Sequence, residues 1–257
     1  MDFTTSSTKN IYSDRSAHLG WKQWCVSTLV PKGKDIADIG CGGGIYSRAF
    51  SSLGANSVIG IDSSAQYIVD AVEASQGYDN VSYMVADATN TGLDNHSVDI
   101  AFERALIHHF SINQQKQNII ELRRVLRRFG TLAVQDRTYE DVCNIDPAHW
   151  IRATLFKCFP QLLEFERSRR PLRSGYRKML KELGFQIVDV ATLDEVRKVY
   201  KSFIELESEI LARKGKSILF ELSDIQLKHY CSELQKVSAD QKLEEIDRWT
   251  IWVASAP

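Results

Sequence analysis

Between an acid and a helix-forming segment the chain reads Asp38-Ile39-Gly40-Cys41-Gly42-Gly43-Gly44. Glycine tolerates positive φ and lets a ligand lie against the backbone. A glycine turn that opens a helix suits a nucleotide-like ligand. Two details separate this turn from a dinucleotide site. That pattern wants a small residue three places after Gly42, where this chain has Ile45. Asp38 also sits two residues before the first glycine, a poor place beside a pyrophosphate and a good one beside an ammonium group. Asp62, followed by Ser63, ends the next apolar run and can accept two hydroxyl protons from a ribose, a logic shared with dinucleotide enzymes.

A second set of groups could handle protons and substrate. Glu103, Arg104, His108 and His109 follow one apolar run, and Gln135, Asp136 and Arg137 follow another. His109 is the leading candidate base, because an imidazole exchanges protons near neutral pH. Asp136 is a second acid–base candidate or a partner that orients Arg137, and Glu103 is assigned to holding the cofactor. Arg104, His108, Arg137 and Arg152, with Tyr12, are the expected substrate contacts, and arginine suits carboxylate or phosphate. Each has a plainer reading. Either histidine could bond only a nearby carbonyl. Arg169 and Arg170 could pair with Glu164 and Glu166, and His149, Trp150 and Phe156 could be packed core rather than an aromatic lid. No metal site is expected: there is no HExxH, and adjacent histidines do not share a helix face.

The elements that would position these groups alternate. Short apolar runs at 35–39, 57–61, 81–86, 98–102 and 131–135 read as strands. Between them, Ile45, Ala49, Phe50 and Leu53 follow helical spacing up to Gly54. Ser63 or Ser64 can cap a helix burying Ile68, Ala71 and Val72. Ile112, Ile119, Leu122 and Leu126 share a face of a helix expected to end at Gly130. Residues 186–190 and 248–254 read as strands six and seven, with a polar helical stretch at 192–247 between them. The expected fold is α/β, a Rossmann-like, doubly wound, seven-stranded mixed sheet with helices on both faces and a helical insertion before the last strand. A single domain is expected over 1–257. It divides into an N-terminal helical cap (1–34, with a helix over 11–29), a cofactor-binding core (35–136), a substrate-side segment with strand six (137–191), the insertion (192–247) and the last strand (248–257).

At Ala37-Asp38-Ile39-Gly40-Cys41-Gly42-Gly43-Gly44 the sequence resembles the first motif of class I S-adenosylmethionine-dependent methyltransferases, and further motifs follow in that family's order over about residues 35–136. The resemblance places Asp62 on the ribose hydroxyls and Asp87-Ala88 beside the adenine. It matches 93–99 to the turn into strand four and 121–130 to the helix and turn before strand five. Arg128-Phe129-Gly130 stands where the family usually has Pro-Gly-Gly. It implies S-adenosylmethionine as cofactor, held by Asp38, Gly40, Gly42, Gly44, Asp62, Ser63, Asp87, Ala88 and Glu103. It also implies in-line methyl transfer to a small molecule, in which the protein chiefly positions the acceptor and excludes water.

Composition narrows the alternatives. With 44% hydrophobic and 25% charged residues the chain reads as soluble and globular. A net charge of −1 gives no general attraction to nucleic acid. No two prolines are adjacent, so the Asn/Asp-Pro-Pro-aromatic motif of nucleic-acid amino-methylating enzymes is absent. Five scattered cysteines without a CxxC pair point to a reducing cytoplasm. The first ten residues do not read as a signal peptide, and no apolar run reads as a membrane span. The competing expectations are an RNA or protein methyltransferase, a nicotinamide-dependent dehydrogenase, and a non-catalytic cofactor-binding regulatory or assembly protein. The 192–247 region is then a docking surface or an oligomer contact.

Overall fold

A computed structural model describes residues 17–144, 146–214 and 216–257. It divides into two compact units. The first holds the described residues up to Asp136 with Arg173–Leu193 and Thr250–Pro257; the second holds Arg137–Leu172 and Asp194–Trp249.

The first unit carries a mixed seven-stranded sheet. Its strands are β1 (Asp35–Ile39), β2 (Ser57–Asp62), β3 (Val81–Val85), β4 (Val98–Arg104), β5 (Leu126–Asp136), β6 (Gln186–Val199) and β7 (Glu244–Ser255), in the order β3-β2-β1-β4-β5-β7-β6. The strands from β1 to β5 pair in parallel, and β7 runs antiparallel to β5 with Asp136 opposite Thr250. This is the Rossmann-like architecture expected from the alternation of apolar runs. Helices α1 (Leu19–Thr28), α2 (Ile45–Ser52), α3 (Ala65–Ala74) and α4 (Ile112–Val125) belong to this unit, as does α8 (Arg173–Glu182). The Ser64 hydroxyl caps α3 by accepting from the Tyr67 N–H, and Ser111 and Gln114 form a capping box on α4.

Neighbouring residues on a strand face opposite ways, and β4 shows the result. Ile100 and Phe102 join Trp21, Phe50 and Ile251 in one apolar cluster, while Ala101 joins Ile119, Leu122, Leu180 and Trp252 in the other. The Trp21 ring meets Tyr46, Phe50 and Phe102 edge-on at 4.8, 5.2 and 5.5 Å. Truncating a buried aromatic of this kind costs about 3–5 kcal/mol.

Several boundaries differ from the sequence expectation. The helix before β5 ends at Val125, not Gly130, and β5 starts at Leu126. Gly130 instead marks a close backbone approach, since a Cβ there would lie 2.8 Å from the Arg127 carbonyl and 3.1 Å from that of Asp99. The β4–β5 register shifts between Val98 and Ile100, and Phe129 sits at φ +60°. Val72 and Ile112, expected on buried helix faces, are exposed. Strands β6 and β7 are longer than expected, running to Val199 and starting at Glu244. Their extra residues are rich in charge, so periodicity alone hides them. The expected helix over 11–29 is described only as α1, and Tyr12 lies outside the described residues.

The second unit is helical apart from these strand extensions. It contains α5 (Tyr139–Val142), α6 (Trp150–Cys158), α7 (Leu162–Arg169), α9 (Phe203–Leu211) and α10 (Asp224–Val237). Its core includes Phe156, Leu162, Leu206, Ile210, Leu227 and Leu234. Trp150 and Phe156 belong to that core, and the Trp150 indole donates to the Lys242 carbonyl. Among the described residues no helix is long and apolar enough to cross a membrane.

Candidate functional site

The glycine turn links β1 to α2, as its sequence implies. The amides of Gly40 and Cys41 donate to the Ile61 carbonyl at 2.7 and 3.0 Å, pinning the turn to β2. Gly40, Gly42 and Gly44 all have positive φ, at 72°, 50° and 74°. Their surroundings differ. A Cβ on Gly40 would touch Leu106 at 3.0 Å, and one on Gly44 would strike the Tyr83 hydroxyl at 2.1 Å. A Cβ on Gly42 would meet nothing within 4 Å. Gly44 therefore makes room for Tyr83, which bonds Ser75 at 2.7 Å, and Gly42 is the position that opens onto free space.

Two acids brace this turn. Asp62, at the end of β2, accepts from the Gly42 and Ser64 amides, each at 2.9 Å. Burial pushes the Asp62 carboxyl up, while the backbone amides of Ser64, Gly42 and Ser63 pull it down. Asp38 is buried and accepts from the Ser47 hydroxyl at 2.6 Å, which ties β1 to α2. Burial, with the nearby charge of Asp62, pushes its carboxyl up to about 7. Beyond β3, Asp87 takes the amide and hydroxyl of Thr89 at 2.7 and 2.6 Å, and the Ala88 carbonyl accepts from Asn118 at 3.1 Å.

Strands β4 and β5 are neighbours, so their carboxyl ends bring distant residues together. Glu103 is fully buried; it accepts from the Asn118 amide at 2.6 Å, and its Oε2 has no partner. Burial pushes it up to about 8, with Asp136 adding to the effect. Arg104 lies over the Tyr46 ring at 4.5 Å. Ala105 has φ +55°, an uncommon conformation for a residue with a Cβ. The chain then makes a single helical turn over Ile107–His109. Here His108 Nδ1 lies 2.9 and 3.0 Å from the two carboxylate oxygens of Asp136, and the His108 amide donates to the same group at 3.3 Å. Asp136 is fully buried, His108 is half-buried, and His109 is exposed with its ring 4.0 Å from that of His108. The sequence alone favours His109 and offers Asp136 to Arg137. In the structure Asp136 holds His108, and Arg137 pairs with Asp247 at 2.5 Å in the second unit. Adjacency of β4 and β5 is the available signal for the His108–Asp136 contact. Tyr83 and Asn118 have none.

The remaining candidates lie in the second unit. Arg152 is 3.7 Å from Asp247, and Arg169 and Arg170 both bond Glu166. Among the described residues no group of three His, Cys, Asp or Glu side chains could hold a metal ion.

Residues 37–134, which run from within β1 through β4 and most of β5, match the family of methyltransferase domains. By that match, residues 37–134 of this chain form a methyltransferase domain. S-adenosylmethionine is the cofactor of this methyltransferase family. The phosphoethanolamine N-methyltransferase 1 of Caenorhabditis elegans is 24% identical over 135 residues, a match covering 48% of this chain and 28% of that protein. The chain thus spans under a third of that relative's length. Among solved structures, a Bacillus halodurans protein assigned to the methyltransferases superposes with TM-score 0.61 at 17% identity, covering 92% of this chain and 98% of that one. The geranyl diphosphate C-methyltransferase of Streptomyces coelicolor A3(2) gives 0.57 at 13%, covering 92% and 78%. The [4+2]-cyclase SpnF gives 0.58 at 18%, covering 92% and 80%. Likeness at these identities speaks for the fold alone, and the cyclase shows that this fold also hosts other chemistry.

The cradle suits the cofactor on its own geometry. Gly42 leaves open space above the turn, and the Asp62 carboxylate at the end of β2 lies within 2.9 Å of its amide.

The raised carboxyls of Glu103 and Asp38 are expected to make the fold pH-sensitive. A group that holds its proton more tightly folded than unfolded adds stability below its unfolded pKa and loses it as pH rises through the folded pKa. For Glu103 that window runs from about 4.5 to about 8, and for Asp38 from about 3.8 to about 7. Glu121, held down to about 2 chiefly by Arg124, acts oppositely and loses its contribution only in acid. The stability advantage of wild type over Glu103→Gln is therefore expected to shrink by several kcal/mol between about pH 5 and pH 8.5, because each tenfold change in proton affinity is worth about 1.4 kcal/mol. Chemical denaturation across that range checks it; a constant difference would show that Glu103 titrates as an ordinary carboxyl.

Proposed function

We propose that this chain transfers a methyl group from S-adenosylmethionine to a small-molecule acceptor, with His108 taking up the acceptor's proton. The observation that carries the reading is the His108–Asp136 pair, set at the carboxyl ends of β4 and β5 in the same sheet as the open glycine turn. In open α/β sheets ligands bind beyond these strand ends.

S-adenosylmethionine, when bound, supplies an electrophilic methyl group. The chain's residues do the rest. Gly40 and Gly42 admit the ligand to the backbone, and Asp62 accepts the ribose hydroxyls. Asp87 and Ala88 flank the adenine. Asp38, Ser63, Gly44 and Glu103 keep the cradle in shape. Asp136 accepts the Nδ1 proton of His108, which leaves the Nε2 lone pair free to take a proton from the acceptor. The buried carboxylate then stabilises the imidazolium that forms. Arg104, on the same segment and over the Tyr46 ring, is placed to receive the acceptor.

The small-molecule assignment is supported by the near-neutral charge and the absence of a Pro-Pro motif. The substrates named for the C. elegans and S. coelicolor relatives are small as well. Five free cysteines fit a cytosolic location. Incubation with methyl-labelled S-adenosylmethionine and a cell extract tests the acceptor class. Label is expected in the low-molecular-weight fraction; label confined to RNA or protein would overturn the assignment.

A further inference from the structure

Helix α4 buries three polar side chains among its apolar ones. Gln115, Asn118 and Glu121 stand three residues apart, a spacing that makes neighbours on a helix surface, and all three are buried as Ile119 and Leu122 are. A buried amide or carboxylate is costly unless it is hydrogen-bonded, so its partners explain its presence. Each of the three reaches a segment outside α4. Gln115 Nε2 donates to the Ile107 and Phe110 carbonyls, both at 3.2 Å, and so clasps the turn that carries His108 at its two ends. Asn118 Nδ2 donates to the Ala88 carbonyl at 3.1 Å and to Glu103 at 2.6 Å, joining the loop after β3 to the end of β4. Glu121 accepts the amide and the hydroxyl of Thr91, further along the same loop, at 2.8 and 2.6 Å. One helix therefore grips the loop at 88 and 91 and the His108 turn at 107 and 110.

The His108 turn needs such support. A single helical turn fixes several dihedrals for very few hydrogen bonds, so it does not hold itself. The chain enters it through Ala105 at φ +55°, a conformation that persists only where the surroundings enforce it. The contact of His108 with Asp136 depends on the pose of this turn.

We propose that Gln115 and Asn118 are positioning residues that couple the two places: cofactor held against the 87–91 loop steadies α4, and α4 through Gln115 fixes the turn on which His108 meets Asp136. The proposal rests on the assignment of Ala88 to the adenine and of His108 to proton uptake. A ligand that orders one segment lowers the cost of ordering another on the same support, with no change of shape required.

Hydrogen exchange of the full chain, with and without saturating S-adenosylhomocysteine, tests it. The amides of His108, His109 and Phe110 are the readout, since they bond the Asp136 carboxylate and the Leu106 and Ile107 carbonyls. In wild type the ligand is expected to slow exchange in the 87–91 loop and also at 108–110, the latter at least about fivefold, the lower end for coupling between sites. In Gln115→Met and in Asn118→Leu the loop should still be protected, whereas the slowing at 108–110 should vanish. Each variant is compared with itself with and without ligand, so a general loss of stability does not imitate the result. Either variant suffices if the other fails to fold. Slowing at 108–110 that survives in the variants would show that the ligand reaches the turn without α4, and would overturn the proposal. A wild-type loop that is protected beside an unaffected turn would also overturn it, and would leave the cofactor assignment standing. No protection at either place would overturn both.

Discussion

Alanine in place of His108 is expected to slow single-turnover methyl transfer about 10²–10⁴-fold, the usual range for general-base catalysis, with cofactor affinity nearly unchanged. His108→Gln should fall equally far, because an amide can hydrogen-bond but takes up no proton at neutral pH. Asp136→Asn tests the orienting role. The carboxylate now receives the Nδ1 proton; an amide that donates instead would turn the ring to the other tautomer and occupy Nε2 with a proton. Asp136 is fully buried, so turnover must be expressed per folded molecule. His109→Ala, one residue on and exposed, should be close to wild type. Melting curves beside the rates separate chemistry from structure. Lowered stability with near-normal turnover in both His108 variants would strip the dyad of its role. The same rates with His109→Ala alone impaired would return the role to His109.

Loss of cofactor binding is the expected result of Gly42→Val. Nothing in the protein lies within 4 Å of the position a Cβ would take, so a side chain there collides with ligand rather than with the fold. The backbone at φ +50° adds strain for a β-branched residue, so Gly42→Ala is the milder companion, with about 1–2 kcal/mol of strain. Gly44→Ala is the contrasting control: its Cβ meets the Tyr83 hydroxyl, and its cost should appear first in stability. Asp62→Ala should weaken binding by about 1.5–3 kcal/mol, the scale for a hydrogen bond to a charged group. Titration of each variant with S-adenosylhomocysteine reads these effects. Normal affinity in Gly42→Val would mean that the ligand does not pass the turn.

Much of this arrangement is legible in the sequence because local pattern and global fold agree in residues 35–104. The strands there are short apolar runs, and three of them carry an acid at or near the carboxyl end. Asp38 precedes the glycine turn, Asp62 closes β2, and Glu103 stands near the end of β4. Legibility fails where tertiary contact overrides local signal. Gly130 looks like a helix stop, yet it serves the close approach of β4 and β5. Residues 194–199 and 244–247 read as part of a polar helical stretch, yet they are strand, and Glu245 and Asp247 are buried in ion pairs. The His108–Asp136 contact joins residues 28 apart in sequence and depends on which two strands are neighbours. Choosing between two adjacent histidines needs the geometry of one turn, which no periodicity encodes. Tyr83 is hidden for a similar reason: the glycines that make room for it, Gly44 and Gly60, lie on other elements.

Calorimetric titration of the wild-type chain with S-adenosylhomocysteine and, separately, with NAD tests the central claim most directly. Asp62 alone would serve either ligand, but Asp38 before the turn and Ile45 after it favour the first. The expected result is saturable one-to-one binding of S-adenosylhomocysteine that Gly42→Val abolishes, with no heat from NAD beyond dilution. Binding of NAD with S-adenosylhomocysteine silent would contradict the account.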